Sequence, residues 1–211
     1  LSRYEKEGVK SDLLVHRPYG IPQKTLDDNS SRSNQPLIVG YIGQLAPHKG
    51  INVLIDAFAK TPKQNLDLQI FGSGEPEYEN DLKKKSKGLP IQFMGSFKPE
   101  DLSHVLNSID ILVVPSLWEE NSPLVVHEAF AHKVPVIASH IGGLPEIVSE
   151  FNGGQLFPPG DADALAIAIE STKNNIVNLK DFRQNIRMLR SINIDVRDIL
   201  SDYEVLIDAN S

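Results

Sequence analysis

The stretch Ile111-Leu112-Val113-Val114-Pro115-Ser116-Leu117-Trp118-Glu119-Glu120-Asn121-Ser122-Pro123-Leu124-Val125-Val126-His127-Glu128 changes character twice. Ile111 to Val114 is an unbroken apolar run of strand length. A polar loop follows, and Ser122 to His132 reads as a helix. Ser122 suits the cap position of that helix and Pro123 its first turn. A strand with no polar position belongs in a parallel sheet, whose strands are covered on both faces. One strand, one loop and one helix make a single unit of an α/β fold.

The same unit recurs outward from this stretch. Upstream, Leu37 to Ile42 is a buried-strand run, and Ile51, Leu54, Ile55 and Phe58 follow at helical spacing. Leu66, Leu68 and Ile70 alternate as a strand, a charged helix runs from Tyr78 to Lys87, and Ile91 to Met94 is a further strand. Leu102, Val105, Leu106 and Ile109 repeat the helical stripe. Downstream, Val134 to Ala138 reads as a strand, Leu144 to Glu150 as a helix, Leu156-Phe157 as an edge strand and Asp161 to Thr172 as a helix. Residues 179 to 209 read as helical with a break near Ile192 to Ile194. The expected fold is α/β: a Rossmann-like parallel sheet with helices on both faces. Residues 1–35 are polar and read as a linker or entry segment, and residues 36–211 as the domain with its C-terminal helices.

Composition narrows the function. The chain has 211 residues, enough for one large domain or two small ones, and a formal net charge of −7. An acidic balance argues against nucleic acid as a partner, since duplex binders present a basic face. There is no cysteine, so disulfides, thiolate metal sites and a cysteine nucleophile are excluded. His16, His48, His104, His127 and His132 make no metal-ligand spacing, and no metal is expected. No apolar run approaches the roughly 20 residues that span a bilayer. The first residue is Leu1, and the chain reads as an excerpt or processed piece.

Ligands of an open parallel sheet bind beyond the carboxyl ends of its strands. Three such loops stand out. Gly43-Gln44-Leu45-Ala46-Pro47-His48-Lys49-Gly50 joins glycines, a lysine and a helix start, a combination suited to a phosphate. A turn with a solvated lysine explains the same residues. Gly72-Ser73-Gly74 is a tight turn with or without a ligand. In the third loop, Glu120 precedes the helix and Glu128 sits on it amid Leu124, Val125, Val126, Ala129 and Phe130. A carboxylate in apolar company needs a hydrogen-bond partner, and a ribose diol is one. A surface charge and a satisfied structural carboxylate account for the pair equally well. His140 to Glu146 is a fourth strand-to-helix junction on the same rim. Trp118 reads as a packing residue and Lys83-Lys84-Lys85 as a solvated helix face.

Taken together, these pieces resemble the donor-binding, carboxyl-terminal domain of the group 1 (family 4) glycosyltransferases, over residues 36 to 172. Glu120 and Glu128 meet that family's Glu-x7-Glu motif. Gly43-Gln44-Leu45 with Lys49-Gly50, Gly72-Ser73-Gly74, Phe93-Met94-Gly95, Pro135 to Ala138, Gly142 to Val148 and Phe157 to Asp161 fall in the family's order. The resemblance implies one half of a GT-B fold and transfer of a sugar, with retention, from a nucleotide sugar to a saccharide or lipid acceptor. It implies Lys49 on the donor diphosphate, Glu128 on the ribose, Glu120 on the transferred sugar and the backbone near Phe97 on the base. Gly43, Gln44 and Gly72, with the segment Asn121, Ser122, Pro123 and Leu124, complete the implied donor site. Lys49 and Glu120 are the implied catalytic pair. No cofactor beyond the nucleotide sugar is implied. The acceptor site belongs to an amino-terminal domain with no counterpart here, so the chain alone is expected to be inactive. The implied setting is cell-surface polysaccharide synthesis in the cytoplasm, with peripheral attachment at the inner membrane face as its variant. Gln44 departs from the family's usual arginine and removes one charge from the diphosphate site. Two other classes fit the same residues: a nucleotide-sugar epimerase half-domain, and a non-catalytic nucleotide-binding module.

Overall fold

The structure, a computed structural model, describes residues 5–11, 36–174, 176–187 and 191–208. Most of the entry segment expected over 1–35 therefore lies outside the described residues. Contacts divide the chain into two compact units, Leu1–Gln23 with Leu189–Ser211, and Lys24–Met188.

Among its described residues, the larger unit carries six strands: β1 (Leu37–Ile42), β2 (Leu66–Phe71), β3 (Ile91–Gly95), β4 (Ile111–Val114), β5 (Val136–Ser139) and β6 (Gly154–Phe157). Its helices are α1 (Ile51–Lys60), α2 (Pro76–Lys85), α3 (Leu102–Ser108), α4 (Leu124–Ala131), α5 (Leu144–Glu150), α6 (Ala162–Asn174) and α7 (Ile176–Asn185). The strands form one sheet in the order β3-β2-β1-β4-β5-β6. Every pairing is parallel. Burial follows position in the sheet. Central β4 is buried at Ile111, Leu112 and Val113, whereas edge strand β3 is partly exposed along its length. Water reaches the edges and selects mixed patterns there, while central strands see only side chains.

The helices contribute to the core unevenly, from a full apolar stripe in α1 to Leu82 as the buried residue of α2. In α1, Ile51, Leu54, Ile55, Ala57 and Phe58 are buried. Burying an aliphatic or aromatic side chain of this size stabilises by about 1.5–3 kcal/mol. At the amino end of the sheet, Asp110 accepts from the Ile38 amide at 2.9 Å and from Arg183 of α7 at 3.0 Å. That buried carboxylate ties β1, the start of β4 and α7 together.

Two local expectations are corrected. Ser122 does not cap α4: Pro123 stands at the cap with extended backbone, and the helix begins at Leu124. The Ser122 hydroxyl pairs instead with the buried His127 Nε2 at 2.8 Å. Trp118 does not pack: it is 67% exposed. Its loop is held through backbone, with Leu117 N–H donating to His48 O at 2.8 Å, so the side chains beside that bond face outward.

The other unit contains α8 (Ile192–Asp208). Its first turn is closed by the Asp195 and Ile194 amides on Ser191 O. The expected break at 192–194 falls earlier, between Asn185 and Ile192. Among the described residues, no helix is long and apolar enough to cross a membrane.

Candidate functional site

The order of the strands fixes where a ligand can enter. Connections leave β1 toward β2 and β3 on one side, and β4 returns on the other. The loops after β1 and β4 therefore diverge and leave a crevice between them. A cleft of about 490 Å³ lies there. Tyr41 and Ile42 of β1 and Val113 and Val114 of β4 form its floor. Gly43, Gln44, Lys49, Phe97, Ser116, Glu120, Pro123 and Glu128 are among its walls.

Each wall is placed by a local backbone device. After Ala46 the chain makes one 3-10 turn, Pro47–Lys49, and then Gly50 takes a left-handed conformation (φ 72°) that starts α1. A side chain at Gly50 would place its Cβ 1.8 Å from Pro115 O. Only glycine lets the two loops approach this closely. The approach sets Lys49 against the β4 loop, where Nζ donates to Glu120 Oε1 at 2.6 Å. Ser116 Oγ donates to the same oxygen at 3.0 Å. Glu120 is mostly buried (16% exposed) and Lys49 less so (30%). The ammonium is thus oriented toward the cleft by a charge-assisted hydrogen bond.

The fourth junction acts from behind. Gly143 N–H donates to Glu120 O at 2.7 Å, which fixes the Glu120 backbone. A Cβ at Gly142 would meet that carbonyl at 2.3 Å. His140 is exposed and does not line the cleft. On α4, Glu128 faces the cleft, and its backbone carbonyl accepts from His132 N–H at 3.1 Å and pairs with His132 Nδ1 at 2.8 Å. His127, one residue earlier, points into the core against Phe151. Burial pushes its imidazole below the ordinary range. Phe97 enters the wall from beyond β3 and is held edge-on by Phe71, with ring centroids 6.1 Å apart.

The structure thus gathers Gly43, Gln44, Lys49, Phe97, Glu120, Pro123 and Glu128 around one cleft. Four expected site residues stand apart from its walls. Gly72 serves backbone packing: an added Cβ would lie 1.8 Å from Gly43 O. Asn121 and Leu124 are exposed beside the cleft, and Ser122 is taken up with His127. Sequence reading missed Tyr41 and Ser116. Tyr41 is hidden in an ordinary strand pattern, and Ser116 in a loop chosen for its carboxylates. Among the described residues, no three His, Asp or Glu side chains gather as a metal site.

With this geometry in view, a family model described as Glycosyl transferases group 1 matches residues 23–188. The chain belongs to this family. Sulfoquinovosyl transferase SQD2 of Arabidopsis thaliana is 32% identical over 164 residues, covering 76% of the chain and 31% of that protein. The D-inositol 3-phosphate glycosyltransferase of Corynebacterium efficiens is 36% identical over 153 residues, covering 66% of the chain and 36% of that protein. The chain spans about a third of the length of these relatives. The sucrose-phosphate synthase of Thermosynechococcus elongatus superposes with a TM-score of 0.79 at 28% identity, over 99% of the chain and 56% of that protein. Anabaena HepE in complex with UDP also superposes with a TM-score of 0.79, at 22% identity over 95% of the chain and 61% of that protein, a likeness of fold. The group 1 chain therefore shares its fold with these two structures.

Proposed function

We propose that this chain is the donor-binding part of a retaining glycosyltransferase that moves a sugar from a nucleoside-diphosphate sugar to a saccharide or lipid acceptor. The observation that carries the reading is the cleft between β1 and β4, where one lysine faces two carboxylates and an aromatic ring. Lys49 lies where α1 begins, so its charge and the helix dipole add. A departing diphosphate is stabilised there, which is what sugar transfer demands of a site. Glu120, already hydrogen-bonded to Lys49, orients the ammonium and offers its second oxygen to a sugar hydroxyl. Glu128 accepts from the ribose diol, and Phe97 meets the base. No metal ion is assigned a part.

The HepE structures of like fold contain UDP and UDP-glucose, in keeping with a nucleotide sugar here. The acceptor groups are assigned to a part of the protein beyond this chain, consistent with the third of its relatives' length that it spans. The test is a thermal-shift panel of UDP, GDP and ADP with their glucose and mannose esters. At a hundred times its Kd, a true donor adds about 2.7 kcal/mol to stability. One base series is expected to raise the midpoint, and Lys49→Ala to abolish the rise for diphosphates. No rise with any compound would refute the proposal.

A further inference from the structure

The cleft has a charge problem. One ammonium faces two carboxylates, and a diphosphate brings more negative charge. Backbone donors must then share the work, and a backbone carbonyl turned toward the cleft would oppose it. The loop after β1 holds such a carbonyl. Gly43 N–H donates to Phe71 O at 3.0 Å and Leu45 N–H to Ser73 O at 2.9 Å, both toward β2. Leu45 also bridges Gly74 in parallel fashion. In an extended chain alternate residues face opposite ways. The Gln44 amide and carbonyl therefore face away from β2, toward the β4 side where the cleft lies. The buried Tyr41 hydroxyl donates to that Gln44 carbonyl at 2.7 Å. The Gly43 turn sits directly on the phenol, since a Cβ at Gly43 would be 3.2 Å from its oxygen.

We infer that Tyr41 is a positioning residue of the donor site: its hydroxyl ties down the Gln44 carbonyl, leaving the Gln44 amide as a hydrogen-bond donor to the diphosphate. The inference rests on the proposed donor role of the cleft. Burial, then the charges of Tyr78 and Glu120, push the Tyr41 phenol well up, so it stays a donor throughout the working pH range. Loss of the hydroxyl would bare an acceptor beside an anion. The penalty then falls on charged ligands and spares neutral ones, which a general loss of packing would not do.

Tyr41→Phe keeps the ring and removes the hydrogen bond. Titration calorimetry with UDP, GDP and ADP first finds the diphosphate that wild type binds; the variant is then compared on that diphosphate and on its nucleoside. A weakening of about three- to tenfold for the diphosphate is expected, the range of one hydrogen bond. Nucleoside affinity should stay within about twofold of wild type, a margin below one such bond. Equal affinity of variant and wild type for the diphosphate would overturn the inference, as would a parallel loss for both ligands. In wild type, the Gln44 amide resonance is expected to shift with the diphosphate and not with the nucleoside, a readout that does not need the variant to fold. A Gln44 resonance indifferent to the diphosphate would overturn the inference too. If wild type binds no diphosphate, the donor reading itself fails; if it binds one and only Tyr41→Phe behaves as wild type, the donor reading survives alone.

Discussion

Glu120 and Lys49 show how a residue's neighbours decide its use. The family resemblance casts each as a separate ligand contact, but the structure joins them at 2.6 Å and adds Ser116 to the same oxygen. The pair is built from the protein's own side chains. His127 shows the opposite case, a polar residue spent on structure. Its ring is buried and bonded to Ser122, and desolvation lowers its pKa from the ordinary imidazole value. Its folded pKa lies below the unfolded value, so the unfolded chain takes up the proton first as pH falls. Stability that is full above about pH 6.5 is therefore lost below it, down to the folded pKa. Urea midpoints should fall between pH 7.5 and 5.5 in wild type and fall less in His127→Gln. Equal slopes in both would show that this imidazole is not the group responsible. None of this was legible in the sequence, where His127 is one more polar residue beside a glutamate. Spacing told which residues share a helix, and not which side chain had already found a partner inside.

Among elements, the strands were the most legible. The unbroken apolar runs at Leu37 to Ile42 and Ile111 to Val114 emerged as central strands with the expected bounds. They are buried on both faces, so hydrophobicity alone defines them. The start of α4 was less legible, because Ser122 offers a cap and Pro123 a first-turn residue while the buried imidazole competes for the same hydroxyl. Tertiary burial won over local capping. The loop after β1 depends on Gly50 more than its composition suggests. Gly50→Ala adds a left-handed strain of about 1–2 kcal/mol and a clash with Pro115 O. The expected cost is about 2–5 kcal/mol by chemical denaturation, with loss of diphosphate binding because Lys49 leaves Glu120. A variant that keeps wild-type stability would show that the two loops do not need their close approach.

At the scale of the sheet, the parallel order β3-β2-β1-β4-β5-β6 places a reversal in the order of the described strands between β1 and β4, and the cleft follows from it. That order was not readable from the sequence, which gives strands without neighbours; the position of the cleft was more legible, because the loops singled out for Lys49 and Glu120 follow the two strands that flank the reversal. In the proposed assignment, the donor groups lie on this chain and the acceptor groups elsewhere in the protein. The chain by itself is therefore expected to bind a nucleotide sugar and to transfer no sugar to added saccharide or lipid acceptors. Radiolabelled product formed by the purified chain would require an acceptor site within it.

The assignment of Glu128 to the ribose can be read from a single ratio: the affinity for a nucleoside diphosphate over that for its 2′,3′-dideoxy analogue, measured by calorimetry in wild type and in Glu128→Ala. Wild type should prefer the ribose form by roughly ten- to a hundredfold, the reach of a hydrogen bond to a charged group, and the variant should show almost no preference. The same ratio in both proteins would mean that the carboxylate facing the cleft does not hold a ribose.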